Sequence, residues 1–258
     1  MKIQLRQICL VAAKLAPVID DLTDILGINL CHIDPGVGQW GLENSLMPIG
    51  RNFLEVVAPV TDGTAAGRYL ERRGGDGGYM VITQGESRDT YNSVRLRAPE
   101  LGVRIAFERS RDTSGLCQLH PRDMNACFYE IEWNEANDFS GLWHPAGHNW
   151  EDKVRQDVTV DLIGDEIQAD DPKALSDLWS KVIGTPAHVS GDVHSIALNN
   201  AALRFVEATD GRGPGLGGLD IAVVNRARIL ERARARGCYV SDNRVDICGT
   251  RFYLIESG

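Results

Sequence analysis

The chain has 258 residues, of which 43% are hydrophobic and 24% charged, with a formal net charge of -9. That length holds one large domain or two smaller ones with real cores, and the acidic balance argues against nucleic acid as a partner, because a phosphate backbone calls for clustered Lys and Arg. No apolar run reaches the roughly 18 residues that a membrane span needs. The opening MKIQLRQICLVAAK is too polar at its start, and too short in its apolar run, for a secretory signal. Cys9, Cys31, Cys117, Cys127, Cys238 and Cys248 form no CxxC pair, and several lie in apolar strand patterns, where free Cys packs as a small hydrophobe. Reduced thiols and a cytoplasmic setting are expected.

Taken in chain order, one unit recurs: a strand, a helix ending near Gly, and a three-stranded meander. In the first copy IQLRQICLVA reads as the strand and APVIDDLTDILG as the helix, stopped by Gly27. INLCHI is the next strand, DPGVG a turn, and WGLENSLMPI and NFLEVVAP pair across Gly50-Arg51. In the second copy GYMVIT is the strand. DTYNSVRLRAPELG is read as only partly helical because Pro99 interrupts it, and VRIAFERS, GLCQLH and ACFYEIEW follow. The third has DEIQAD, then a helix capped by Asp171 before Pro172, with Leu175, Leu178, Trp179 and Val182 on one face. HSIALNN and ALRFVEA close it. The fourth has GLDIAVV, an Arg-bearing helix to Gly237, then CYVSD, RVDICG and TRFYLIES.

The junctions between copies one and two and between three and four both run strand, TDG, Gly-rich segment, strand. GRGPGLGG in the second junction does not suit phosphate binding, since it contains Pro214 and leads into a strand rather than opening a helix. RARILERARAR, with Arg226, Arg228, Arg232, Arg234 and Arg236, has helical spacing and reads as a solvated helix face. NEANDFSGLWHPAGHNWED lies between the halves as a linker. Its cluster of Trp143, His144, His148 and Trp150 reads as either a loop over the functional site or an ordinary packed connection. The domain reading is 1–134, a linker over 135–154, and 155–258.

Strand–helix–three strands repeated in pairs resembles the vicinal oxygen chelate superfamily, the glyoxalase/bleomycin resistance/dioxygenase-like proteins. The resemblance covers nearly the whole chain. Its most specific local piece is LHPRDMNACFYEIEW, which looks like the closing hairpin of epimerase-like members, and FLEVVAP looks like the closing strand of a first module. The fold this implies is α+β: four βαβββ modules in two pairs, as in the glyoxalase/bleomycin resistance/dihydroxybiphenyl dioxygenase fold.

In that superfamily two modules curl into a cup, and metal ligands come from the first and last strand of each. Counted back from Gly27, the first-strand position is Gln7. The closing strands offer Glu55 and Glu130, and the first strand of the second module offers Tyr79 where the family has His. The resemblance thus implies Gln7, Glu55 and Glu130 as ligands of one divalent ion, with Mg, Mn, Ni and Zn as candidates. Oxygen donors suit the harder ions, whereas Zn and Ni usually recruit imidazole. The equivalent first-strand positions of the C-terminal pair fall near Gly164 and Gly217, and Arg204 and Phe205 stand at the closing-strand place. This departs from the two His and one Glu of iron extradiol dioxygenases and argues against ring cleavage.

Chemistry without metal also fits these residues, one Glu having its pKa raised by burial and by its neighbour's charge. Glu132 shares the face of Glu130, and one of the two reads as the solvated end of the strand. His120, before Pro121, is the candidate for proton transfer near neutral pH, and the Tyr79 phenol could act as an acid. The expected function is a glyoxalase- or epimerase-like lyase or isomerase moving a proton on a small carbonyl, hydroxy-acid or aromatic metabolite. Glu55, Tyr79, His120 and Glu130 are its catalytic candidates, in a monomer or homodimer. The alternative is a metal-free binding protein of the bleomycin resistance type.

Overall fold

The structure is a computed structural model and describes residues 2–257. The first module has β1 (Ile3–Val11), α1 (Leu15–Leu26), β2 (Leu42–Ile49) and β3 (Asn52–Pro59). After α2 (Ala65–Arg73) the second has β4 (Gly77–Gly85), α3 (Arg88–Glu100), β5 (Ile105–Ser110), β6 (Ser114–Leu119) and β7 (Phe128–Asn134). The third has β8 (Thr159–Ala169), α4 (Pro172–Ile183), β9 (Ala187–Ser190), β10 (Val193–Ala197) and β11 (Ala202–Glu207). The fourth has β12 (Gly215–Val223), α5 (Arg226–Arg236), β13 (Tyr239–Ser241), β14 (Arg244–Ile247) and β15 (Thr250–Glu256). The strand orders are β2-β3-β1-β4-β7-β6-β5 and β13-β14-β15-β12-β8-β11-β10-β9, so the modules pair one with two and three with four. No described helix is long and apolar enough to cross a membrane.

Three local expectations are corrected. INLCHI forms no strand: its pairing is the single bridge His32↔Leu46, and a 3₁₀ helix over Pro35–Trp40 follows, capped by the Asp34 side chain. The first module therefore lacks one strand of its meander. Pro99 does not cut the second-module helix short, because it sits in the last turn of α3, where little ladder remains to be lost. The first Gly-rich junction contains a helix, α2, whose Thr64 side chain accepts from Gly67 N and whose end is set by Gly74 at φ 69°.

Compactness groups the chain differently from strand order. One unit holds the chain up to Gln7, Tyr79–Gly141 and Gly164–Leu216; the other holds Ile8–Gly78, Leu142–Ile163 and the chain from Gly217 on. In the first unit the core is organised by Trp179 of α4. It is fully buried, its indole N–H donates to Met124 O at 2.9 Å, and its ring meets Tyr129 and Phe205 edge-on at 5.5 and 5.8 Å. Arg97 of α3 donates to the last carbonyls of α4, Val182 O and Ile183 O, where a cation also suits the helix dipole.

In the second unit, the basic run of α5 is neutralised. Arg232 and Arg236 pair with Asp24, and Arg236 also with Asp21, on α1. Arg226, Arg228 and Arg234 reach Glu256, Asp157 and Asp242. The run is therefore a helix face matched by carboxylates, not a free cationic stripe.

Trp179 brings the second and third modules together through both area and a hydrogen bond, so Trp179→Ala is expected to destabilise the protein by about 3–5 kcal/mol. Urea unfolding followed by circular dichroism measures it.

Candidate functional site: a buried carboxyl pair

The closing strand β7 carries Phe128, Glu130, Glu132 and Asn134 on one face and Tyr129, Ile131 and Trp133 on the other, by strand alternation. Tyr129 lies on the Trp179 side, so the glutamates occupy the opposite face. Sheet register then selects their neighbours. Gln84 of β4 lies beside Glu132, and Ile82 beside Glu130. On β6, Gln118 lies beside Glu130 and Leu116 beside Glu132. On β5, Arg109 extends the Leu116 row.

The two carboxyls hydrogen-bond each other, and the neighbouring Gln118 favours the charged form of Glu130. Burial, which penalises the charged form, raises Glu130 above the ordinary carboxylate value. Burial also pushes Glu132 well above it, helped by the Glu130 charge and by the hydrogen bond the protonated Glu132 donates. Arg109 opposes both shifts, and Arg6 opposes that of Glu132. Two carboxyls sharing a site cannot easily both ionise, which pushes in the same direction as their burial. Neither glutamate is therefore the solvated strand end expected of one of them: Glu130 is buried, and Glu132 keeps some accessible surface but desolvation of its carboxyl dominates.

Beside the pair, part of the linker is tied to β1. Gln4 donates to Phe139 O at 2.7 Å. Arg6, fully buried, donates to Phe139 O and to Gly141 O, the latter at 2.7 Å. Asp138 accepts from Ser140 N at 2.8 Å, forming the turn that presents those carbonyls. Arg6 thus links the segment 138–141 to the electrostatics of Glu132.

Some polar atoms on this face lack a partner. Both amide atoms of Gln84 are buried without a hydrogen bond, and so are Glu130 Oε2 and Asn134 Oδ1. Gln84 is fully buried and Glu130 is 2% exposed. Buried polar groups in native proteins nearly always find partners, protein or ordered water, so such a cluster calls for an explanation.

The other residues expected at the site have local roles. Glu55 accepts from Asn44 Nδ2 at 2.6 Å, and Asn44 Oδ1 accepts from Asp34 N at 2.9 Å. A carboxylate inside β3 thereby fixes the turn that starts the 3₁₀ helix. Phe53, on the same face of β3 as Glu55, stacks on Trp143 with centroids 6.4 Å apart and meets Trp150 edge-on at 5.0 Å. The linker tryptophans therefore lie on that face. His144 and His148 make no metal pair: Pro145 and Gly147 separate them, and the stretch is a short 3₁₀ turn. Tyr79 is buried at the start of β4 with its ring edge-on to Phe128 at 5.1 Å. Gln7 is buried in β1. His120 belongs to the β6–β7 turn, where Nδ1 accepts from Arg122 N at 3.3 Å and its carbonyl accepts from Asp123 N and Met124 N. The ion pair Arg104–Asp123 braces that turn and holds the Asp123 carboxyl down at about 2.

Of the expected ligands, Gln7 and Glu130 belong to one compact unit and Glu55 to the other; Glu55 is engaged by Asn44, and burial raises the Glu130 carboxyl. Among the described residues no three His, Cys, Asp or Glu side chains stand together in a metal-holding group. Sequence reasoning placed Glu130 and noted the shared face of Glu132, but missed Gln84, Gln118, Arg109, Arg6 and Asn134. The available signal was a polar residue at a strand position whose register partners were also polar.

Because Glu132 is raised, the folded state binds more protons than the unfolded state between the ordinary value of 4.5 and the folded one. Stability therefore falls as pH rises through that window. Glu132→Gln keeps a donor for Glu130 and removes the titration. It is expected to flatten this fall and to raise stability near neutral pH by on the order of 1 kcal/mol, as measured by urea midpoints across the window.

No family model matches the sequence, and no curated protein matches it. Among solved structures, a hypothetical protein from Staphylococcus aureus aligns over 100% of both chains at 10% identity with a TM-score of 0.64. A variant of Streptomyces coelicolor methylmalonyl-CoA epimerase, in complex with 2-nitronate-propionyl-CoA, aligns over 52% of this chain and 96% of its own at 18% identity, TM-score 0.44. Methylmalonyl-CoA epimerase from Mycobacterium tuberculosis aligns over 50% of this chain and 87% of its own at 22% identity, TM-score 0.42. The whole-chain likeness is one of fold, and the half-chain likenesses are too weak to carry chemistry. With three βαβββ modules and a first module one strand shorter, paired through two sheets, the chain has the vicinal oxygen chelate fold.

Proposed function

We propose that the protein is a metal-independent proton-transfer enzyme, an isomerase or lyase acting on a small carbonyl-containing metabolite at the Glu130–Glu132 pair. The observation that carries this reading is the buried pair itself, with both carboxyls raised by desolvation and one hydrogen-bonded to the other. At neutral pH such a pair supplies a carboxylate and a carboxylic acid on one strand face. The carboxylate, Glu130, removes a proton from carbon next to a carbonyl. Its raised basicity brings it nearer the operating pH, where general bases work best. The acid, Glu132, supports the developing oxyanion or returns a proton, and the Arg109 charge favours the anionic intermediate. The residues 1–134 carry this chemistry in our reading, and 155–258 act as a structural partner. Six cysteines in no disulfide support a reducing, cytoplasmic setting.

A metal-free binding protein is the second reading. The aromatic cover of Phe53 by Trp143 and Trp150 favours it, since that face of β3 is taken up by packing.

Deuterium uptake at carbon next to the carbonyl, followed by NMR in heavy water over a panel of small keto acids, hydroxy acids and cyclic carbonyl compounds, separates the two. The enzyme reading expects catalysed exchange with at least one of them and a drop of about 10²–10⁴-fold in Glu130→Gln. Unchanged exchange in Glu130→Gln would sink the assignment; binding with no exchange would favour the second reading.

A further inference from the structure

The partnerless atoms around the carboxyl pair have a composition that selects a ligand. Gln84 contributes one amide donor group and one acceptor, and Glu130 Oε2 and Asn134 Oδ1 contribute further acceptors. Register puts Gln84 beside Glu132, with Glu130 and Asn134 one alternation away on either side along β7. A primary amide offers its donor and acceptor in one plane on adjacent positions. Both are answered together by the edge of a cis-amide, in which C=O and N–H point the same way. A ligand carboxylate answers only the donor, leaves the acceptors unfilled, and meets the negative charge of the pair. The surplus of acceptors over donors calls for more than one N–H on the ligand.

We propose that this face of β4 and β7 binds an uncharged cyclic ureide, the ring class in which a urea unit, N–H/C=O/N–H, is closed through a carbonyl-bearing carbon. Gln84 pairs with one cis-amide edge of the ring. Glu130 Oε2 or Asn134 Oδ1 accepts from the second N–H. The inference deepens the preceding reading and rests on it for any reaction: a ring carbon next to the carbonyl loses its proton to Glu130, and one proton returns to that carbon from Glu132 or solvent, so no oxidant or co-reactant is required. Ligand recognition itself stands on Gln84 and its neighbours alone.

Hydantoin is the probe, with 1,3-dimethylhydantoin as the control that keeps shape and carbonyls but removes both N–H groups. Amide-resolved NMR titration of the full-length protein is expected to show saturable hydantoin binding centred on β4 and β7, and at least about tenfold weaker binding of the dimethyl compound. Gln84→Leu is expected to weaken hydantoin binding at least about tenfold while retaining the native spectrum; should that variant not fold, Asn134→Ala tests the same cluster from the strand end. Equal binding of the two compounds, hydantoin binding unaffected by the substitutions, or no saturable shift with hydantoin would each overturn the proposal. Deuterium exchange at hydantoin C5 in the same samples keeps the two readings apart. Hydantoin binding with no exchange on hydantoin or on any compound of the panel removes the enzymatic reading and leaves the ligand class, whereas exchange on another carbonyl compound without hydantoin binding does the reverse.

Discussion

Burying a carboxyl on a strand face is costly unless its charge is neutralised or answered, and β7 buries two of them one alternation apart. The hydrogen bond between Glu130 and Glu132 answers part of that cost, and burial raises both carboxyls above the ordinary value. Much of the surrounding arrangement follows from it. Gln118 and Arg109 favour the charged form of Glu130, and the amide of Gln84 and Oδ1 of Asn134 are buried there without a hydrogen bond.

The scaffold holds this pair in register. Thr83 donates to Glu130 O at 2.9 Å and its hydroxyl also bonds Tyr129, tying β4 to β7 beside the glutamates. Tyr129 in turn packs against Trp179, so the face behind the pair is a dense aromatic layer. Arg6 adds a different constraint. Its guanidinium fixes two carbonyls of the segment 138–141 while its charge acts on Glu132. Ionisation of the pair and the hold on that segment therefore draw on the same cation.

Module organisation was legible in the sequence because helix stops and strand alternation are local signals. Gly27, Gly184 and Gly237 end their helices in the left-handed conformation that Gly adopts without strain, and Asp171 with Pro172 opens one. INLCHI misled because an apolar run of strand-like residues needs a partner edge, and this one finds only a bridge at His32. The helix α2 hid in a segment whose glycines suggested a loop, although Thr64 and Gly74 are good caps. At the site, Glu130 was visible as a charge in an apolar strand. Glu132 was visible too, but whether its carboxyl faces water or protein depends on β4, β6 and the segment after β7, which only tertiary pairing brings alongside. Glu55 was an equally good candidate on sequence grounds; its partner Asn44 stands eleven residues earlier and becomes its neighbour only once the β2–β3 hairpin has formed.

The central claim is that Glu130 and Glu132 hold one proton between them in the folded protein. Infrared difference spectroscopy tests it directly, because a protonated carboxylic acid has a C=O stretch well separated from the carboxylate bands. The account predicts such a band at neutral pH in the native protein, shifted in heavy water and absent from Glu132→Gln. No protonated carboxyl band at neutral pH, or one that persists unchanged in Glu132→Gln, would contradict it.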